Sequence, residues 1–270
     1  MAVLTKNKAP AGHWYRADGT PVHKLPTTDG RGERPTTIRD AKRLGLFPSV
    51  TGILSVLARP GLEKWKLDQV ALATLRTPKQ PEESEDYWCG RVRNAAFEQV
   101  EEAADLGTMI HGALELAMAG EPYADDLRPY VEPVLKWKAS ISIEIIEREV
   151  RLVNRAEGFA GTADVLFRFG QNGIGILDYK TRKTRPGEEV LSYDNQAMQL
   201  AAYAATHWGP ENIERVLAAN VFISTTEPGR VVVVKHPDPA RDWEAFRLVA
   251  ALWRYQKGYD PRQAQPAPGP

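Results

Sequence analysis

The chain has 270 residues, 43% hydrophobic and 26% charged, an ordinary globular composition that can bury a core without staples in one large domain or two small ones. Lys+Arg and Asp+Glu each total 35, so the formal net charge is zero and any grip on a polyanion has to come from a local patch. Cys89 is the sole cysteine, which excludes intrachain disulfides, zinc knuckles and cysteine-held iron–sulfur clusters, and no apolar run approaches the ~20 residues of a membrane helix.

In chain order, residues 1–47 are rich in Gly, Pro, Thr and charge and read as an irregular arm, with a short hairpin around Asp18-Gly19. The first residues lack the apolar core of a signal peptide, so a soluble cytoplasmic protein is expected. Ser49 or Thr51 can cap a helix through ILSVL, and a second helical stretch follows Pro60-Gly61 through LEKWKLDQVALATL. TPKQPEESEDYW (77–88) is polar and Pro-broken and reads as a surface loop. A long helix is predicted from Val92 to Ala119, closed by Gly120, and another from Asp125 to Ala139. The pattern then turns to β. Branched residues bounded by Gly and Asn predict strands at Ile143–Val153, Gly161–Phe169 and Ile174–Thr181. A helix at Glu188–His207, a strand pair at Val216–Ser224 and Arg230–Lys235, and a helix at Asp242–Lys257 complete the order, with a disordered tail at 261–270. This succession predicts an α/β fold with a sheet flanked by helices, a helical part at 48–140 and an α/β core at 141–260 within one domain.

The informative stretch is GFAGTADVLFRFGQNGIGILDYKTRK (158–183). Asp178 and Lys180 are two apart on a strand and share a face. A three-residue loop, Gly170 to Asn172, pairs Phe169 with Gly173 and sets Asp164 opposite Asp178 on that face. A two-residue Asn172-Gly173 loop would set Asp164 opposite Thr181, on the wrong face. The three-residue loop is therefore predicted, bringing two carboxylates and a lysine together. Such a trio suits metal-assisted phosphodiester hydrolysis: Mg²⁺ takes a couple of carboxylates plus waters and substrate, and a lysine can orient water or offset transition-state charge. On spacing alone, a surface hairpin with an ion pair of little consequence is equally consistent.

GTAD…LDYKT resembles the core motif of the PD-(D/E)XK nucleases, with Asp178 where many members carry Glu. GTMIHGALE (107–115) resembles the helix motif of their RecB-like branch, NQAMQLAAY (195–203) its Gln-x-x-x-Tyr motif, and FPSVTGILSVLARPGLEKW (47–65) the front of phage exonucleases and of the mitochondrial genome maintenance exonuclease. The match spans about residues 47 to 257 in the family's order. The resemblance implies a central mixed sheet flanked by helices, with an N-terminal helical arch over the site. It implies catalysis by Asp164, Asp178 and Lys180, and one or two Mg²⁺ or Mn²⁺ ions held by Asp164, Asp178, the Tyr179 carbonyl and His111. Gln199, Tyr203, Gln196, Thr181, Arg182, Lys183 and Arg185 are candidates for seating DNA or supporting the centre, and Glu115 and Glu149 for acids behind it.

The expected activity is end-dependent DNA exonuclease action in phage-type recombination, replication or repair, on single-stranded or end-frayed DNA, with a single-strand annealing or recombination protein as a partner. A structure-specific or flap endonuclease and a non-catalytic DNA-binding recombination partner are the alternatives. No Gly-rich phosphate loop with Lys-Ser/Thr and no HExxH occurs, so a fused motor and a zinc protease are excluded.

Overall fold

The computed structural model describes residues 13–263, and the side chains of all of these except 98–104 and 194. In chain order the elements are β1 (Trp14–Tyr15), β2 (Lys24–Pro26), β3 (Glu33–Pro35), α1 (Ile38–Leu44), β4 (Phe47–Pro48), α2 (Val50–Leu54), α3 (Pro60–Arg76), α4 (Glu85–Ala119) and α5 (Arg128–Ser140). There follow β5 (Ile143–Asn154), β6 (Phe159–Phe169), β7 (Gly173–Arg182), α6 (Asp194–Trp208), β8 (Val216–Ser224), β9 (Val231–His236) and α7 (Pro239–Lys257).

Local chemistry sets most of these boundaries. Ser49 Oγ accepts from Gly52 N and starts α2, and Ser84 Oγ accepts from Tyr87 N and starts α4. Gly120 ends α4 in the left-handed conformation that favours glycine, and Gly258 ends α7 the same way. The Ser84 cap lies inside the segment expected to be loop, so α4 begins at Glu85 rather than Val92. In the opposite sense, α6 starts at Asp194 rather than Glu188. Gln196 Oε1 accepts from Tyr193 N at 2.9 Å and fixes the first turn there.

β5 to β9 form one five-stranded mixed sheet in the order β5-β6-β7-β8-β9, antiparallel except for the parallel β7–β8 pair, which α6 connects as a crossover. The sheet is flanked by helices on both faces. On one side Ile176, Ala218 and Leu166 pack with Leu200, Ala201 and Ala204 of α6 and Phe246 and Trp253 of α7. On the other, Val165, Phe167, Leu177 and Val221 pack with Ile110 and Leu114 of α4 and Val131 and Val134 of α5. α3 lies on the first half of α4, with Ala73 against Val92 and Ala96.

The arm is not the irregular appendage expected from its composition. β1 pairs with β4, β2 with β3, and the turn around Asp18-Gly19 is closed by Arg16 N donating to Thr20 O at 2.8 Å. Trp14, Val22, Ala41 and Leu46 belong to the same core as Phe159, Trp243 and Phe246. A few large apolar residues spaced along a polar segment bury without any periodicity to announce them. At the other end, Pro261–Gln263 form a 3-10 turn with Pro261 buried, so the described part of the expected tail is ordered; residues 264–270 and 1–12 lie outside the described residues.

Candidate active site

Phe169 pairs with Gly173, as the three-residue loop requires, and the ladder runs down to Val165–Leu177. One step further the same register sets Asp164 opposite Asp178. There the β6–β7 ladder stops, and the Asp164 side chain takes over: its Oδ2 accepts from the Tyr179 backbone N–H at 2.7 Å. The N–H and C=O of one strand residue lie on the same edge, so the Tyr179 carbonyl also faces this gap between the strands. On the far side, β5 runs antiparallel to β6 with Arg148 opposite Val165 and Val150 opposite Ala163. Glu149 stands between them, opposite Asp164. Its φ of 49° breaks the ladder at that point, a left-handed conformation that costs a non-glycine residue on the order of 1–3 kcal/mol. Three acids thus stand in a row across three strands.

The row continues through β8. Asp178 pairs with Asn220, and its carboxylate is held from several sides. Lys180 Nζ lies 2.7 Å from Oδ1 and 2.6 Å from Oδ2, Gln199 Nε2 donates to Oδ1 at 3.3 Å, and Asn220 Nδ2 donates to Oδ2 at 2.7 Å. His236 Nε2 lies 2.8 Å from Asn220 Oδ1, and an amide oxygen only accepts, so His236 donates from Nε2. Tyr203 hydrogen-bonds Gln199 from behind, and the phenol end of its ring closes on Gly161, where a Cβ would come within 2.6 Å of it. From the other face, α4 brings His111 Nδ1 to 3.7 Å from Asp164 Oδ2. Gly107 makes that approach possible: a Cβ there would stand 3.0 Å from Thr181 Oγ1 of β7.

Charge is poorly balanced in this space. Burial, then the neighbouring Asp178, push the Asp164 carboxyl well above its ordinary range. Burial, then the charge and hydrogen bond of Glu115, push Glu149 up to about 7, although its side chain is exposed enough for solvent to take back part of that shift. Burial alone would pull the Lys180 ammonium down, but Asp178 and Asp164 together outweigh it and hold Lys180 above the ordinary lysine value. Burial first, and Lys180 second, hold His111 below the usual histidine value and therefore neutral at pH 7. Four carboxyls face one ammonium, and the imidazole offers a lone pair. Among the described residues, no three His, Cys, Asp or Glu side chains close on one point as a ready ion cage, and Lys180 bridges both oxygens of Asp178.

Asp164, Asp178, Lys180, His111, Gln199 and Tyr203 therefore meet, and Glu115 and Glu149 join them as a hydrogen-bonded pair. Gln199 and Tyr203 are buried at 8% and 4% exposure, so they support Asp178 rather than touch a ligand. The remaining candidates are employed elsewhere. Gln196 caps α6, with Tyr193 N and Ser192 Oγ both donating to its Oε1, which turns it away from the centre. Thr181 faces α4. Arg182 is spent on the loop that follows: it donates to Leu191 O and stacks on Tyr193 at 4.9 Å and Phe222 at 5.8 Å. Arg185 pairs with Glu188 at the surface, and Lys183 is exposed. Asn220 and His236 went unread in the sequence. The only signal was a polar residue at the centre of an otherwise apolar strand, VLAANVFIS.

No family model and no curated protein matches the chain. Among solved structures, that of SSO0001 is similar over 75% of this chain and 89% of its own, at 17% identity and a TM-score of 0.35. Among the described residues, no helix is long and apolar enough to cross a membrane.

Proposed function

We propose that the chain is a metal-dependent deoxyribonuclease of the PD-(D/E)XK kind, acting from DNA ends. The observation that carries this reading is the row Glu149–Asp164–Asp178, with Lys180 bound to its last member and His111 Nδ1 3.7 Å from its middle one. A carboxylate surplus of hard oxygen donors with a neutral imidazole is the donor chemistry that suits Mg²⁺ or Mn²⁺. Asp164, Asp178, the Tyr179 carbonyl and His111 would hold such an ion. When bound, it would supply the charge that activates water and offsets the negative charge growing on the phosphate.

The residues of the chain do the rest. Asp178 is held in one orientation by Gln199, Asn220 and Lys180, so its oxygens are aimed before any ligand arrives. The Lys180 ammonium is long enough to leave Asp178 for a phosphate oxygen, whose negative charge would then take over the part of Asp178 in keeping it protonated against burial. Neutral His111 can share the Asp164 side of the centre without adding positive charge that would repel an ion. Lys183 lies just beyond β7 on the surface, suited to guiding a phosphate backbone.

The test is cleavage of end-labelled linear and circular DNA, single- and double-stranded, in Mg²⁺, Mn²⁺ or EDTA. Metal-dependent loss of linear DNA with circles spared is expected, and Lys180→Ala should abolish it in a protein with an unchanged far-UV spectrum. Full activity of folded Lys180→Ala would remove the assignment.

A further inference from the structure

We propose that the chain forms a two-fold dimer by pairing β9 with β9 of a second copy, which joins the two five-stranded sheets into one. This inference does not rest on the nuclease reading. β5 and β9 are the two edges of the sheet, and the chain treats them differently. An open edge is a template for another strand, and native proteins blunt it with charge, bulges or cover. β5 has all three. Glu144, Glu147, Arg148 and Arg151 lie along it, its register slips between Ile145 and Glu147 with left-handed Glu149 beyond, and the turn of the arm sets Gly19 beside Arg151 and Val153. β9 reads VVVVKH, pairs with β8 without a register shift, and carries one charge, Lys235, after its four half-buried valines.

The hydrogen bonds define what this edge offers. Ser224 N donates to Arg230 O at 3.1 Å, and Thr225 N donates to Arg182 O at 2.9 Å. Successive residues of a strand turn their N–H and C=O to opposite sides, so the even-numbered residues of β8 bond to β9 and the odd-numbered ones to β7. Val232 and Val234, the partners of Phe222 and Asn220, therefore use their backbone groups inside the sheet. Val231, Val233 and Lys235 direct theirs away from it, and no loop, turn or side chain among the described residues bonds to them.

Three outward-facing residues centred on Val233 are complementary to a second copy of themselves. Antiparallel pairing about a two-fold axis at Val233 sets it opposite the partner's Val233, and Val231 opposite the partner's Lys235. The N–H and C=O of all three residues are then bonded on both copies. On the other face Val232 meets the partner's Val234, a β-branched pair on either side of the axis. Charge fits as well. Lys235 meets a valine rather than a second cation, and Arg230 is held back by Glu227 and the carbonyls of Arg185 and Glu188. A slide of two residues one way brings Pro237, which has no N–H, opposite Val231, and a slide the other way sets Lys235 against the turn at Gly229. α5 packs on β8 and β9 and flanks the seam on one face. Six strand residues a side fall short of the ~20–30 of a standard interface, so association is expected in the micromolar range. The axis stands perpendicular to the sheet, so both copies turn Asp178 and Asn220 to the same side, about 25 Å apart across five strand spacings.

Sedimentation velocity of the full chain over a series from about 1 to about 100 µM reads the association. Wild type should move from the 30.1 kDa of one chain towards twice that mass. Val233→Pro removes an N–H that β8 does not use and puts a ring on the open edge. It should stay monomeric across the series with the far-UV spectrum of wild type. In a Cys89→Ser background, Val233→Cys should give a disulfide-linked dimer on mild oxidation, because opposed Cα atoms about 5.5 Å apart are within disulfide reach. Leu248→Cys, at a position 74% exposed on α7, should not. A wild type that remains monomeric throughout would overturn the inference. So would a dimer that folded Val233→Pro leaves intact, or one in which Val233→Cys crosslinks no better than Leu248→Cys. If Val233→Pro does not fold, the crosslink decides. Cleavage plays no part in these readouts, so the dimer and the nuclease reading stand or fall separately.

Discussion

At the scale of single residues, the hydrogen-bond chain His236–Asn220–Asp178 makes the clearest demands. Asn220 is fully buried and its amide satisfies a carboxylate oxygen on one side and a histidine on the other. Asn220→Ala takes one donor from Asp178, which keeps Lys180 and Gln199, and leaves His236 unpaired, and should cost about 1–3 kcal/mol of stability, read from urea unfolding. It should also lower kcat more than it raises KM, because Asp178 loses its aim rather than the substrate its grip. Asn220→Ala with wild-type stability and turnover would show that the chain is ornamental. The carboxyls make a second demand through their proton affinity. Glu149 is raised from the ordinary carboxyl range to about 7, and Asp164 is raised as well, so the folded metal-free protein binds protons that the unfolded chain has released. A raised folded-state value means that stability falls as pH rises through this window. Four histidines held below their ordinary value push the other way in the same window, so the readout is a difference: in EDTA, wild type should lose Tm relative to Glu149→Gln between about pH 4.5 and pH 7. Divalent cation should restore more Tm at pH 8 than at pH 5. Parallel Tm profiles of wild type and Glu149→Gln in EDTA would refute the charge surplus.

At the scale of elements, two glycines decide how closely the helices on each face can approach. Gly161 accepts the Tyr203 ring of α6 and Gly107 lets α4 settle against Thr181. The Gly161 contact is tighter and is made by a rigid ring. Gly161→Ala should cost about 1–3 kcal/mol through overpacking and, by pushing Tyr203 and Gln199 back from Asp178, should reduce activity beyond the loss of folded protein. Tyr203→Ala alone empties a buried site and should cost about 3–5 kcal/mol, but in the Gly161→Ala background it also relieves the clash and should cost less, with turnover lost in either case. An equal cost of Tyr203→Ala in both backgrounds would mean that the ring is not what Gly161 makes room for. The hairpin illustrates what a sequence can and cannot announce about elements. The loop length and the demand that Asp164 face Asp178 settle the β6–β7 register, because a slip by one residue reverses every side chain. The start of α6 and the end of the 77–88 loop are decided by Gln196 and Ser84 side chains bonding backbone N–H groups, and a propensity pattern does not weigh such bonds.

At the scale of the molecule, the arm and the α/β core are one body. Trp14 is 5% exposed and lies 6.2 Å from Trp253 of α7, ring centre to ring centre. Trp14→Ala should cost about 3–5 kcal/mol, and thermal unfolding should remain one transition that moves as a whole. A separate early transition would mean that the arm folds alone. The core order of helices, three strands, helix, strand pair and helix was legible because each element has the period and punctuation of its kind. Asp164, Asp178, Lys180 and His111 were legible because they fall within motif-like runs. Asn220 and His236 were not, since the parallel pairing of β7 with β8 brings Asn220 to Asp178 and β9 follows on β8, and pairing between residues 42 apart leaves no local trace. Arg182 was legible as a cation but not as a stacked one, for the same reason.

The polar row across the sheet has a consequence for how the chain finds its fold. A sliding error of two residues between β7 and β8 keeps every side chain on its proper face, so hydrophobic patterning alone does not forbid it. Such an error would set Asp178 against Ala218 or Phe222 instead of Asn220, leaving a buried carboxylate without that donor. The same groups that hold Asp178 thus act as a key that fits only one alignment of the strands. Replacing Asp178 and Asn220 together by leucine strands Lys180 and His236, and should lower resistance to urea while broadening the amide NMR spectrum of β8, the signature of a sheet that has lost its one alignment.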